Sequence, residues 1–327
     1  MAARPSEDEL IERFFAPIAA PAGLGLRDDA ALLKAPQDDL VLTKDALVAG
    51  VHFFADDPPG AIARKALRVN LSDLAAKGAE PLGFLLALAL PDDWTVRWLA
   101  DFAAGLGGDA ADYRCPLLGG DTVKTPGPLM VSITALGGIE PGGRMARRDG
   151  VQPGDLLYVS GTIGDAALGL ALRRGAPGAG LDDAGRQFLL DRFLLPLPRV
   201  GLAAAMRRFA HGGMDVSDGF VGDLRKMLRV SGVSARVDLK RLPLSAAAKA
   251  ALAADPSRLE AIATGGDDYE VLAAVGRNQA AAFEAGAKSA GVPVTTIGEA
   301  IESDADPVFL GDGGAELSFK QTSYSHF

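Results

Sequence analysis

The sequence predicts a mixed α/β protein of two domains. Three observations carry that expectation. The chain has 327 residues, more than one typical domain needs. Apolar runs suited to buried strands alternate with segments of helical periodicity. Glycine- and acid-rich turns recur where one kind of segment gives way to the other. Hydrophobic residues make up 48% of the chain and charged residues 23%, the balance of a globular protein able to bury two cores.

From the N-terminus, Ser6 with Glu9 forms a capping box, and Leu10, Ile11, Phe14, Phe15 and Ile18 give the helix behind it one apolar face. After the stretch 21–25, rich in Pro and Gly, Asp28 and Asp29 precede apolar residues, where a solvated turn and a metal ligand are both open readings. Leu40 to Phe53 reads as a strand whose apolar run is interrupted by Thr43, Lys44 and Asp45. A strand interior tolerates such a triplet poorly unless it opens onto a site. His52, between Val51 and Phe53, reads first as a packing residue and second as a ligand.

A helix over 61–77 carries Asp73 within Asn70-Leu71-Ser72-Asp73. The almost wholly apolar run Leu82–Leu90 suits a strand covered on both faces, and Leu99, Phe102 and Leu106 mark the next helix. A short strand from Pro116 ends in Gly119, Gly120 and Asp121, and an alternating strand spans 129–135. Gly-Gly-Asp suits either a plain turn or a close approach of backbone to phosphate beside a metal-holding acid. The composition shifts after Gly142, giving domains 1–142 and 143–327. Arg144, Arg147 and Arg148 beyond that boundary are either a solvated linker or phosphate ligands.

The second domain opens with a strand, Leu156–Ser160, and a glycine-rich lead-in to a helix at 161–164. In Gly213–Asp223 a strand runs into a loop, and a helix continues from Asp218 through Leu228. Asp215, Ser217 and Asp218 crowd that junction. Carboxylates so placed repel one another unless a hard cation lies between them, and a helix cap needs only one of the three. Asp223 reads as a cap. A strand at 235–239, a helix from Ser245, a second Gly-Gly-Asp at 265–267 leading into a strand, a helix at 279–290, a strand at 293–298 and a hairpin turn at 311–314 complete the chain.

Composition also narrows function. A net charge of −9 argues against nucleic acid or an anionic membrane as the main partner. An anionic ligand such as a nucleotide then depends on divalent metal. Neither G-x-G-x-x-G nor a P-loop sequence is present. The one cysteine, Cys115, permits no internal disulfide, and neither an apolar leader nor a membrane-length apolar run is found; a cytoplasmic protein is expected. Several carboxylates meeting in a cleft would hold two or more Mg²⁺ ions that bridge to polyphosphate oxygens.

The segments Asp28-Asp29-Ala30-Ala31-Leu32, Thr43-Lys44-Asp45 through His52-Phe53, Asn70-Leu71-Ser72-Asp73, Gly119-Gly120-Asp121-Thr122, Asp215-Val216-Ser217-Asp218-Gly219, Gly265-Gly266-Asp267-Asp268-Tyr269-Glu270 and the final His326-Phe327 together resemble the thiamine-monophosphate kinase family. That family belongs to the aminoimidazole ribonucleotide synthetase superfamily. The resemblance implies an N-terminal domain that binds ATP and Mg²⁺ and pairs its sheet across a homodimer, and a C-terminal α/β domain that closes the active site. The implied reaction is ATP-dependent phosphorylation of thiamine monophosphate to thiamine diphosphate, by direct in-line transfer without a phosphoenzyme. Asp28, Thr43, Lys44, Asp45, Asp73, Asp121, Asp215 and Asp218 would hold metal. Gly120, Asp121, Arg148 and Ser217 would contact ATP. His52, Asp267 and Tyr324 would contact the substrate. Lys44 stands where the family usually has a small hydroxyl residue, and Tyr324 where a tryptophan is expected nearby. The alternatives are another ATP-dependent synthetase of the superfamily or a non-catalytic sensor of thiamine phosphates or Mg-nucleotide.

Overall fold

The computed structural model describes residues 6–26, 39–320 and 323, so Asp28 and Tyr324 lie outside the described residues. The chain divides into two compact units, Met1–Leu74 with Glu80–Gly142, and Ala75–Ala79 with Gly143–Phe327.

The first unit opens with α1 (Glu7–Leu10), which runs on as a π-type turn, Ile11–Phe15. The capping box forms: Ser6 N–H donates to Glu9 Oε2 at 2.8 Å and Glu9 N–H to Ser6 Oγ at 3.3 Å, which satisfies two orphan donors of the first turn. β1 (Asp39–Val48), α2 (Pro59–Lys77), β2 (Glu80–Leu90), α3 (Val96–Asp112), β3 (Leu117–Lys124) and β4 (Met130–Ile139) follow. Their sheet has the order β1-β4-β2-β3 and is antiparallel except for the β2–β3 pair. The core draws Leu67, Leu71 and Leu74 from α2, Leu99, Phe102 and Leu106 from α3, and Phe84, Leu88, Val131 and Ile133 from the strands. The alternate residues Leu40, Leu42, Leu85 and Val123 remain exposed.

Two expectations about this sheet need correction. β1 stops at Val48 rather than running to Phe53, because Gly50 adopts φ 80° and the amides of Val51 and His52 turn back to the Val48 carbonyl. Only glycine enters that left-handed conformation without steric cost. Gly119, Gly120 and Asp121 lie inside β3 rather than at its end, because β2 offers a parallel partner as far as Lys124.

The second unit contains β5 (Leu156–Ser160), α4 (Asp165–Arg173), α5 (Asp183–Leu194), α6 (Ala203–Phe209), β6 (Ala210–Val216), α7 (Phe220–Ser231), β7 (Ser234–Asp238), α8 (Ala246–Ala254), α9 (Arg258–Thr264), β8 (Glu270–Val275), α10 (Ala280–Ser289), β9 (Val294–Ile301), β10 (Val308–Leu310) and β11 (Glu316–Leu317). The strands form one sheet of order β11-β10-β7-β9-β5-β8-β6, antiparallel except between β7 and β10. Both faces are covered. Leu157, Val159, Met214, Val216 and Leu272 pack with Leu168, Phe220 and Leu224, and Tyr158, Val271 and Ala273 pack with Met206 and Phe283. Burial on both sides is why β5 and β8 read as unbroken apolar runs. β6 and β8 are neighbours at one edge, so their C-terminal and N-terminal ends bring the segments Asp215–Gly219 and Gly265–Glu270 together.

Candidate active site

In the first unit, strand alternation sorts the candidate residues. Thr43 and Asp45 are half-buried and share one face of β1, whereas Lys44 between them is exposed on the other. The Thr43 hydroxyl donates to Asp73 Oδ2, a carboxylate in the C-terminal part of α2. Thr43, Asp45 and Asp73 therefore form an oxygen-rich set on the helix-bearing face. Asp121 does not join it on that face: it is paired with Ala87, Ala87 with Ser132, and Ser132 with Ala46, which places it on the face of Lys44. An oxygen from Lys44 can come only from its backbone carbonyl, since its ammonium is a donor without lone pairs.

His52 sits in the turn after β1. Its Nδ1 accepts the Val48 N–H at 3.0 Å, which fixes the neutral tautomer with its proton on Nε2. The Lys65 ammonium, buried to all but 2%, donates to the His52 carbonyl at 3.0 Å and anchors the turn.

In the second unit, Asp215 is the buried penultimate residue of β6, with Ser217 and Asp218 half-buried in the loop that follows. α7 begins at Phe220, two residues later than the sequence suggests, because Gly219 takes φ 127°. Asp223 is not the N-cap, which is Gly219 and makes no side-chain cap bond; it lies in the first turn of α7 and reaches back to the residues before the helix. Its Oδ2 accepts the N–H groups of Asp218 at 2.8 Å and Gly219 at 3.1 Å. Sequence reasoning missed the cation of this cluster. The Lys226 ammonium donates to Asp218 Oδ2 at 2.5 Å and to Asp223 Oδ1 at 3.0 Å. Burial pushes the Asp223 carboxyl up, against the nearby Lys226 charge. Burial also works to lower the Lys226 pKa, but the Asp218 hydrogen bond and the Asp223 charge outweigh it and hold the ammonium above its ordinary value. The only signal in the sequence was the spacing of three residues between Asp223 and Lys226, one turn of helix.

Asp267 lies directly against this loop. Its N–H donates to the Ser217 carbonyl at 2.8 Å, and the Tyr269 N–H donates to the Val216 carbonyl at 2.8 Å. A Cβ on Gly266 would meet the Ser217 carbonyl oxygen at 2.5 Å, so the close approach requires glycine there. Arg148, also in this unit, is exposed, and its carbonyl accepts the Ser231 hydroxyl at 3.0 Å.

Among the described residues, no three His, Cys, Asp or Glu side chains gather into a metal cage. The donor chemistry nevertheless fits Mg²⁺: the candidates are hydroxyl and carboxylate oxygens, and this ion is usually held by one or two carboxylates, with phosphate and water completing the shell.

Two family profiles cover most of the chain: AIR synthase related protein, N-terminal domain, over residues 27–139, and AIR synthase related protein, C-terminal domain, over residues 152–310. The chain is 48% identical to the thiamine-monophosphate kinase of Caulobacter vibrioides, over 93% of this chain and 86% of that one. Among solved structures it is similar to the thiamine-monophosphate kinase of Stenotrophomonas maltophilia K279a, with a TM-score of 0.79 and 39% identity over 89% of this chain and 91% of that one. It is also similar to AaThiL complexed with AMPPCP and TMP, with a TM-score of 0.77 and 28% identity over 98% of this chain and 94% of that one. The ordered acid and glycine motifs, the two α/β units and these likenesses agree, and the chain belongs to the thiamine-monophosphate kinase family of AIR synthase related proteins.

Proposed function

We propose that this chain transfers the γ-phosphoryl group of ATP in line to thiamine monophosphate, giving thiamine diphosphate and ADP. The observation that carries the reading is the joining of Ser217 to Asp267 by a backbone hydrogen bond, which puts a candidate nucleotide ligand beside a candidate substrate ligand. It is supported by a relative described in complex with AMPPCP and TMP. Thr43, Asp45, Asp73 and Asp121, the Lys44 carbonyl, and Asp215 and Asp218 would hold Mg²⁺, with Asp28 retained on resemblance. When bound, the metal neutralises charge on the phosphates.

The acceptor is itself a phosphate oxyanion, so no serine or cysteine has to be activated. The chain's residues bind and orient. Gly120, Asp121, Arg148 and Ser217 are assigned to ATP, with the exposed Arg148 guanidinium able to take phosphate in a bidentate pair. His52 and Asp267 are assigned to thiamine monophosphate, as is Tyr324 on resemblance.

A homodimer joined through the first unit's open sheet face is also proposed. Leu40, Leu42, Leu85 and Val123 are exposed there by 44%, 64%, 42% and 49%, a patch of the kind that marks an interface. A cytoplasmic location suits an ATP-consuming enzyme with one buried, unpaired cysteine; no helix among the described residues is long and apolar enough to cross a membrane.

The test is incubation with ATP, Mg²⁺ and thiamine monophosphate, with thiamine in parallel, followed by chromatography of the products. Thiamine diphosphate formed only from the monophosphate, in step with ADP, is the expected result. Asp215→Asn should lower the rate by at least ~100-fold if it removes a metal ligand. No product at micromolar enzyme would move the assignment to the sensor or to a different synthetase.

A further inference from the structure

Asp267 and Tyr269 hold φ angles of 72° and 51°, a left-handed region that is uncommon for non-glycine residues, least so for aspartate, and that persists where the surroundings hold it. What imposes it is visible in the residues between and after them. Asp268 and Glu270 are completely buried, whereas Asp267 and Tyr269 are half-buried. The Asp268 carboxylate accepts the N–H groups of Gly164 at 2.6 Å and Ala166 at 3.2 Å, the start of α4. Glu270 accepts from the Ser160 hydroxyl at 2.6 Å, from Arg199 Nε at 2.6 Å and Nη2 at 2.5 Å, and from Arg192 Nη2 at 3.1 Å. Arg192 Nη2 also donates to the Asp268 carbonyl at 3.3 Å. The loop is thus held from one side by these buried charges and from the other by its backbone bonds to Val216 and Ser217.

Buried ion pairs are poor sources of stability, because the cost of desolvating them offsets most of their attraction. Two arginines and two carboxylates with many directional bonds are, however, an effective way to fix the geometry of a strained loop. We infer that Arg192, Arg199, Asp268 and Glu270 are positioning residues that hold Asp267 where it meets thiamine monophosphate, and so set the affinity for that substrate rather than for ATP. The inference rests on the kinase reading for its substrate, but not for the rigidity it assigns to the loop.

The experiment uses the full chain and compares wild type, Arg199→Met and Arg199→Lys. It measures KM and kcat for each substrate, and hydrogen exchange at the Asp267 and Tyr269 amides. Arg199→Met should raise the KM for thiamine monophosphate at least ~10-fold while the KM for ATP stays within ~3-fold, and should speed exchange at both amides by ~10-fold without changing α10. Arg199→Lys, which keeps the charge, should recover part of each effect. A folded Arg199→Met with wild-type KM and slow exchange overturns the inference, as does an equal loss for both substrates. Should Arg199→Met not fold, Ser160→Ala keeps every charge and removes the hydroxyl that donates to Glu270 and accepts the Val271 N–H at 2.8 Å. It should show the same pattern at ~3-fold, and no change there also overturns the inference. Wild-type protein that makes no thiamine diphosphate would sink the kinase reading alone, because the exchange measurement still decides the loop.

Discussion

Gly120→Ala offers a sharp test of how the β2–β3 ladder serves the site. Gly120 pairs with Leu86, and a Cβ built on it would lie 2.0 Å from the Leu86 carbonyl oxygen and 2.9 Å from its carbon. Carbon and oxygen rest at about 3.3 Å even in a close C–H···O contact, so the two backbones must part by roughly 1.3 Å. Overpacking of that kind costs about 1–3 kcal/mol, and a lost ladder hydrogen bond adds about 1 kcal/mol. The variant should therefore be less stable by roughly 2–4 kcal/mol, a fall in melting temperature of roughly 5–15 °C. Asp121 follows directly in the strand, and displacement of a ligand by about 1 Å can lower turnover by roughly 100-fold.

The control is its neighbour. A Cβ on Gly119 meets only Leu85 Cδ2, at 3.6 Å, an ordinary contact. Gly119→Ala should stay within about 0.5 kcal/mol of wild type. Thermal melts and steady-state turnover on the three proteins suffice. A Gly120→Ala protein with wild-type melting temperature and turnover would refute both the packing argument and the placing of Asp121 in the machinery.

Two further outcomes are expected. Burial pushes the Cys115 thiol up to about 12, so at pH 8 its thiolate should be scarcer than that of a free thiol by on the order of 10³-fold, and iodoacetamide should label the native chain slowly but the denatured chain readily. Because this folded pKa lies above the unfolded one, the thiol's contribution to stability is fully present below the unfolded value and is lost as pH rises through about 12; ready labelling of native protein at pH 8 would contradict the buried placement. Leu42→Glu, at the most exposed leucine of the open sheet face, should shift a homodimer towards monomer by sedimentation while leaving the monomer's circular dichroism unchanged; an unaltered dimer would place the interface elsewhere.

The sequence by itself determined the class of each strong element. Period-2 and period-3.6 patterns located β4, α2 and α3, and the capping box located the first helix turn, because these signals depend only on which side chains a segment must bury. Motif order along the chain was enough to identify the family. It could not give α5, α6 and α9, whose boundaries depend on tertiary packing. Nor could it sort the acids. Whether Asp121 stands with Asp45 or behind it follows from strand register across β1, β4, β2 and β3, and one residue of slip would reverse the answer. Lys226 and Glu270 show the same limit. A lysine one turn along a helix and a glutamate at a strand start look like ordinary charges in sequence. Only the fold decides that one neutralises Asp218 and Asp223 while the other is buried against two arginines, because the partners of a charge are set by through-space proximity between segments far apart in the chain.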